Sequence, residues 1–210
     1  MSAVPVHLID HPLIHDALRL LRDARTQPEE FRREAARISV LIAAEATRDL
    51  PTDQITVTTP LGPAPARRIA ADIVVVPVLR AGLGMLDAML ALFPRARVGH
   101  IGLQRDEATA IASKYYAKLP PDIGRSLVLV IDPMLATGGS ALAALDLLRQ
   151  VGARAVRLIC IVAAPEGIDA VARAHPDVAI YTPAVDVGLD DHKFIVPGLG
   201  DFGDRLYGTL

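Results

Sequence analysis

The residues best suited to chemistry stand in one run, Val128-Leu129-Val130-Ile131-Asp132-Pro133-Met134-Leu135-Ala136-Thr137-Gly138-Gly139-Ser140. An apolar stretch of strand type ends in a single carboxylate, Asp132. A short loop then supplies Thr137, Gly138, Gly139 and Ser140, and an Ala/Leu-rich helical pattern follows from Ala141. A carboxylate at the carboxyl end of a buried strand can meet sugar hydroxyls or a metal ion. Paired glycines let the backbone approach a phosphate closely. A helix start offers unpaired N–H groups and the positive end of its dipole to an anion. Together these features describe a cradle for a sugar phosphate. No Gly-Lys-Ser/Thr follows the glycines and no Gly-x-Gly-x-x-Gly occurs, which excludes the triphosphate P-loop and the dinucleotide fingerprint.

Three further charged residues belong with this loop. Arg80 directly follows the apolar run Ile73–Val78, in the turn Leu79-Arg80-Ala81-Gly82. A guanidinium there can engage phosphate oxygens through two parallel hydrogen bonds. Arg105 opens a mixed-charge stretch, 104–124, that breaks the alternation of elements and reads as a long arm or hairpin; segments of this kind are usually functional. Asp201 lies in the Gly/Asp-rich run Gly198-Leu199-Gly200-Asp201-Phe202-Gly203-Asp204. The histidines point elsewhere. His11 and His15 are four apart, but no Glu follows His11 in zinc-protease fashion and Pro12 intervenes, so they read as surface residues at a helix start. Ser140 has no partner His in its motif, so hydrolase chemistry is unsupported.

The elements that must hold these residues follow a βα alternation. Pro12 suits a first helical position, and Leu13, Ala17, Leu20 and Leu21 recur at helical spacing. Pro28 opens a second helix reaching toward Pro51, so residues 1–51 read as an N-terminal helical part. Residues 52–69, rich in Thr and Pro, suggest a short extended piece and a turn. Strands are then expected at 73–78, 97–103, 127–131, 155–162 and 178–182, with helices at 83–93, 141–151 and 166–174. From Ala184 to the end at 210 no strong periodic element appears. This order predicts a single 210-residue α/β domain: a doubly wound, mainly parallel sheet with helices on both faces. Ligands of such sheets bind outside the carboxyl ends of the strands. Leu79–Gly82, Asp132–Ser140 and Ala184–Asp204 should therefore converge there.

Composition agrees. Hydrophobic residues make up 51% of the chain with four Tyr, four Phe and no Trp, which favours an aliphatic core under a parallel sheet. The net charge is −2 without a basic block, so no field suited to general nucleic-acid binding arises. Cys160 is the only cysteine and lies in an apolar run, which excludes an internal disulfide and a multi-cysteine metal site. No membrane span or targeting segment is visible, and a cytoplasmic protein is expected.

Several segments, colinear along the chain, resemble the uracil phosphoribosyltransferases of the type I phosphoribosyltransferase family. Asp132-Pro133-Met134-Leu135-Ala136-Thr137-Gly138-Gly139-Ser140 resembles that family's loop for phosphoribosyl pyrophosphate (PRPP). Val76–Met85 looks like its pyrophosphate loop, Gln104-Arg105-Asp106-Glu107 like the start of its flexible arm, and Phe194–Asp204 like its uracil-binding segment. Ala163–Gly167 and Glu45–Leu50 are also similar to family strings. The resemblance implies transfer of phosphoribose from PRPP to uracil, giving UMP and diphosphate. It implies PRPP contacts from Arg80, Arg105, Asp132, the loop Pro133–Ser140 and Asp201, with Arg80, Arg105, Asp132 and Asp201 carrying the catalysis. Uracil would be read largely by main-chain groups of Ile195, Gly200 and Phe202, beside Asp201. Magnesium would arrive with PRPP, and no residue is named as a protein metal ligand. Homo-oligomers are implied as well, with a GTP effector in some members, for which no residue here is assigned.

The sequence also departs from the family pattern. Phe202 stands where a small residue is usual, which places its ring beside the base. Phe194 replaces a common Tyr, Lys193 a Gly, and Ala44 a frequent Tyr; the arm lacks a Pro-rich middle. Two alternatives are carried on the same fold: a transferase for another base, and a pyrimidine-responsive RNA-binding regulator, which the charge balance disfavours.

Overall fold

A computed structural model describes residues 5–105 and 112–209, with side chains excepted at 104–105 and 112–114. The elements run β1 (Val6–Leu8), α1 (Pro12–Arg22), α2 (Pro28–Ala46), β2 (Thr52–Thr59), β3 (Gly62–Ile69), β4 (Ile73–Leu79) and α3 (Leu83–Leu92). There follow β5 (Arg97–Val98), β6 (His100–Arg105), β7 (Ala112–Lys118), β8 (Leu127–Ile131), β9 (Met134–Leu135), α4 (Gly139–Gln150) and β10 (Ala155–Ile159). The remainder is β11 (Val162–Ala163), α5 (Pro165–Ala174), β12 (Ala179–Thr182), β13 (Gly188–Leu189), β14 (Ile195–Val196) and α6 (Phe202–Tyr207).

The main sheet has the order β1-β12-β10-β8-β4-β6-β7, with β5 also paired to β4. Every pair is parallel except β6 with β7. The order reverses beside β4. The strands that follow it first, β5 and β6, lie on one side, while β8, β10 and β12 lie on the other. That switch opens a crevice at the carboxyl ends of β4 and β8.

The central strands are apolar throughout because both faces are covered. Val75, Leu129, Ile131 and Ile159 pack with α1, α2 and α3, whereas Val74, Val76, Val128, Val130 and Leu158 pack with α4. Pro77, which has no N–H, stands where β4 changes partner from β5 to β6. His11 caps α1, its Nδ1 accepting from the Leu13 amide at 3.1 Å, which gives it the helix-start role its position suggested.

Several elements differ from the sequence reading. The expected strand 97–103 is two pieces, β5 and β6, because β4 passes its pairing from one to the next. The expected strand 155–162 ends at Ile159 and resumes as β11, which pairs with β9 of the phosphate loop instead of the main sheet. Residues 52–69 form a full hairpin, β2 and β3, eight residues a side. Its prolines hid it, yet β3 has a partner on one side only, where Pro is tolerated. β1 and α6 were not expected: three and six residues are too short to show a period. Among the described residues, no helix is long and apolar enough to cross a membrane.

Candidate active site

Asp132 directly follows β8, and Arg80 directly follows β4, the neighbouring strand. The turn after β4 is pressed against the end of β8: a Cβ on Gly82 would stand 2.5 Å from the Ile131 carbonyl oxygen. The Gly82 amide donates to the Val78 carbonyl at 2.8 Å, so this turn is bonded back onto its own strand. The two residues thus leave adjacent strands at the crevice.

The carboxyl of Asp132 is half-buried at the strand end, and burial pushes it up to about 7 against the opposing pull of the Met134 amide. Beyond it the chain forms β9, then Ala136, Thr137 and Gly138. Gly138 adopts a left-handed conformation, φ +84°, and its α-carbon faces Ala170 and Gly167 of α5. Both the dihedral and the space require glycine there. Among the described residues no side chain caps α4 at its N-cap, and the Gly139 amide finds Thr137 Oγ1 at 3.3 Å. The helix therefore directs its first amides into a small concavity of about 40 Å³ lined by Asp132 and Met134–Ala141.

Arg80 is exposed, and among the described residues no carboxylate pairs with it. Arg105 ends β6, where its main chain is opposite Ala112 of β7. Its side chain, and arm residues 106–111, lie outside the described residues. At the root of this arm Tyr115 lies over Gly102: a Cβ there would stand 2.5 Å from the ring.

The C-terminal segment reaches the same rim through main-chain contacts. The Ala164 amide donates to the Leu135 carbonyl, and the Asp186 amide to the Ala163 carbonyl. β11 thus ties the phosphate loop to residues 184–186. Gly200 and Asp201 are exposed, and Asp201 caps α6 by accepting from the Asp204 amide at 2.8 Å. Ile195 is buried in β14.

One expectation is corrected here. The Phe202 side chain does not stand beside a base: it is 2% exposed and packs edge-on against Phe31 of α2, ring centres 5.1 Å apart. The first turn of α6 rotates this position toward the core, so any contribution to a base comes from its main chain. Lys193 holds a left-handed φ of +68°, which accounts for glycine being usual there. Phe194 is half-exposed and Ala44 lies on an exposed face of α2. Cys160, fully buried behind Asp132, has its thiol pushed up to about 12 by burial, which leaves it unreactive.

Three residues went unnoticed in the sequence. Arg22 at the end of α1 forms an ion pair with Asp186, and Arg205 of α6 is buried against the same helix end. Apart from Leu199, six residues before Arg205, their partners lie 12 to 184 residues away, beyond the reach of any local pattern.

The sequence matches the Uracil phosphoribosyltransferase family profile over residues 8–209. The chain belongs to the uracil phosphoribosyltransferase family. It is 54% identical to the uracil phosphoribosyltransferase of Symbiobacterium thermophilum over 210 residues, covering all of both chains. It is 52% identical to that of Dictyoglomus turgidum over 205 residues, 97% of this chain and 99% of the relative. Among solved structures, the AQ2163 protein of Aquifex aeolicus superposes with a TM-score of 0.91 at 35% identity, covering 96% of this chain and 97% of that one. An adenine phosphoribosyl transferase from Trypanosoma brucei shares the fold alone, at a TM-score of 0.57 and 15% identity over 96% and 90% of the two chains. In this uracil phosphoribosyltransferase family member, the loop Asp132–Ser140 and the Arg80 turn lie at the ends of the adjacent strands β8 and β4.

Proposed function

We propose that this chain transfers the 5-phosphoribosyl group of PRPP to uracil, giving UMP and diphosphate. The observation that carries the proposal is the placement of Arg80 and Asp132 at the ends of two adjacent strands, beside the uncapped start of α4. The reaction needs a polyanionic leaving group held and charge stabilised at an electron-poor ribose carbon. Arg80 takes diphosphate oxygens, and Arg105 adds a second cation from the arm. Ionised Asp132 accepts from the ribose hydroxyls, and the amides following Gly138 hold the 5′-phosphate. Asp201 contributes from the C-terminal rim.

Main-chain groups of Ile195, Gly200 and Phe202 read the base. Amides facing both uracil oxygens and a carbonyl facing N3–H would leave cytosine's amine opposite a donor, and an unpaired buried polar group costs about 1–3 kcal/mol. Among the described residues no three carboxylates, histidines or cysteines gather as a metal cage. The lone hard oxygens of Asp132 fit a magnesium ion that is retained mainly by substrate phosphates, and such an ion would neutralise charge on the departing diphosphate.

We read the reaction as cytoplasmic. We also read the chain as one catalytic unit that works as a homo-oligomer. The hairpin β2–β3 supports this: among the described residues its strands pair only with each other, most of its residues are exposed and none is buried, and an isolated hairpin is marginal in water. The direct test is to incubate the protein with uracil, PRPP and magnesium and to look for UMP. Its absence would refute the proposal.

A further inference from the structure

The base-reading segment is fastened from an unexpected direction. Arg22, the last residue of α1, donates through Nη1 to Asp186 Oδ2 at 2.8 Å and through Nη2 to Asp186 Oδ1 at 2.6 Å. Its Nη1 also donates to the Gly198 carbonyl at 2.7 Å, while the Gly198 amide donates to Asp186 Oδ2 at 2.8 Å. One ion pair therefore holds both main-chain groups of Gly198. The next carbonyl is held in the same manner: Arg205 Nη1 donates to Leu199 O at 2.8 Å. That guanidinium is itself anchored on the end of α1, through the Leu21 carbonyl and, at 2.6 Å, the Asp23 carbonyl, with Phe31 beneath it at 4.5 Å. Gly200, the residue that follows, is exposed, and among the described residues neither its amide nor its carbonyl is engaged.

We infer that the Arg22–Asp186 pair, assisted by Arg205, is a positioning device for acceptor-base recognition. It fixes Gly198 and Leu199 so that the open peptide groups of Gly200 and its neighbours present a defined hydrogen-bonding edge. The inference rests on the function proposed above. A purely stabilising role fits less well. The Asp186 side chain is only 6% exposed and that of Arg22 26%. Apolar residues at such a place stabilise a fold as well as a buried ion pair or better. What an apolar patch cannot supply is a donor and an acceptor aimed at the two ends of one residue's backbone. None of these side chains is required to touch substrate: they act through the peptide groups they hold.

The test is steady-state kinetics of the full chain with Asp186→Asn and Arg22→Lys. The first keeps the shape but removes the charge, and the second keeps the charge but removes the planar fork. The expected result is a rise of about tenfold or more in the uracil KM, the scale of one misplaced hydrogen bond. The PRPP KM should stay within about twofold, and the preference for uracil over cytosine should fall. Should Asp186→Asn not fold, Arg22→Lys alone carries the comparison. Equal rises in both KM values, or unchanged base preference with a lowered Tm, would overturn the inference and leave only a structural stitch. The same ratio can be read with whatever base the wild type accepts. A wild type inactive on uracil would therefore count against the proposed function, and a flat ratio against the positioning role.

Discussion

Gly82 and Ile131 meet across the boundary between β4 and β8, so closely that a methyl group on Gly82 would lie 2.5 Å from the Ile131 carbonyl oxygen. The same methyl would be 2.7 Å from the Val78 amide nitrogen and carbonyl oxygen. All three obstacles are backbone, so none can rotate away. This contact sets the spacing between the Arg80 turn and Asp132. Gly82→Ala is expected to destabilise the fold by about 1–3 kcal/mol, as overpacking does. Because the strain falls on the turn bearing Arg80, PRPP affinity should drop as well. Denaturant unfolding and a PRPP titration check both.

Asp132→Asn should lower kcat/KM by two orders of magnitude or more without unfolding the protein, since the group acts only with ligand present. Burial disfavours its ionised form in the free protein. Neutral Asn removes that cost, so the Tm of the variant at pH 8 should equal or exceed that of the wild type. Near-normal turnover would reject the role assigned to Asp132.

The same residue gives a pH dependence with a definite sign. Its folded value, about 7, lies above the ordinary 3.8. The protonated form is therefore favoured by folding, and the stability it contributes is full below about pH 4 and lost as the pH rises through about 7. Carboxylates such as Asp49, held low by Arg157, act in the opposite direction. The comparison is thus wild type against Asp132→Asn: the variant should lose less stability than the wild type between pH 5 and pH 8. In kinetics, kcat/KM for PRPP should rise along a limb near pH 7 that the variant lacks.

Phe202→Ala tests the corrected position of that ring. The side chain fills core space between α2 and α6, so its removal should cost about 3–5 kcal/mol. At temperatures where the variant remains folded, uracil and PRPP KM values should change alike. A selective change in uracil KM would return the ring to the base site.

Much of this arrangement was legible in the sequence because it is local. The run Val128–Ser140 carries strand, acid, glycine turn and helix start in thirteen consecutive residues, and the structure assembles them in that order. The alternation of apolar runs with helical periods was enough to give the parallel sheet and hence the rim. Phe202 was misread because sequence adjacency to Asp201 says nothing about which way the first turn of α6 rotates a side chain. Arg22 and Asp186 were invisible for a different reason: 164 residues separate them, and an Arg at a helix end looks like any solvated charge until the partner is in place.

The account is tested most directly by measuring diphosphate release from PRPP and magnesium across uracil, cytosine, thymine, adenine, guanine and hypoxanthine. Release with uracil, matched one for one by UMP, and at least about tenfold slower release with cytosine is the predicted result. Turnover confined to another base, or no release with any of them, would contradict it.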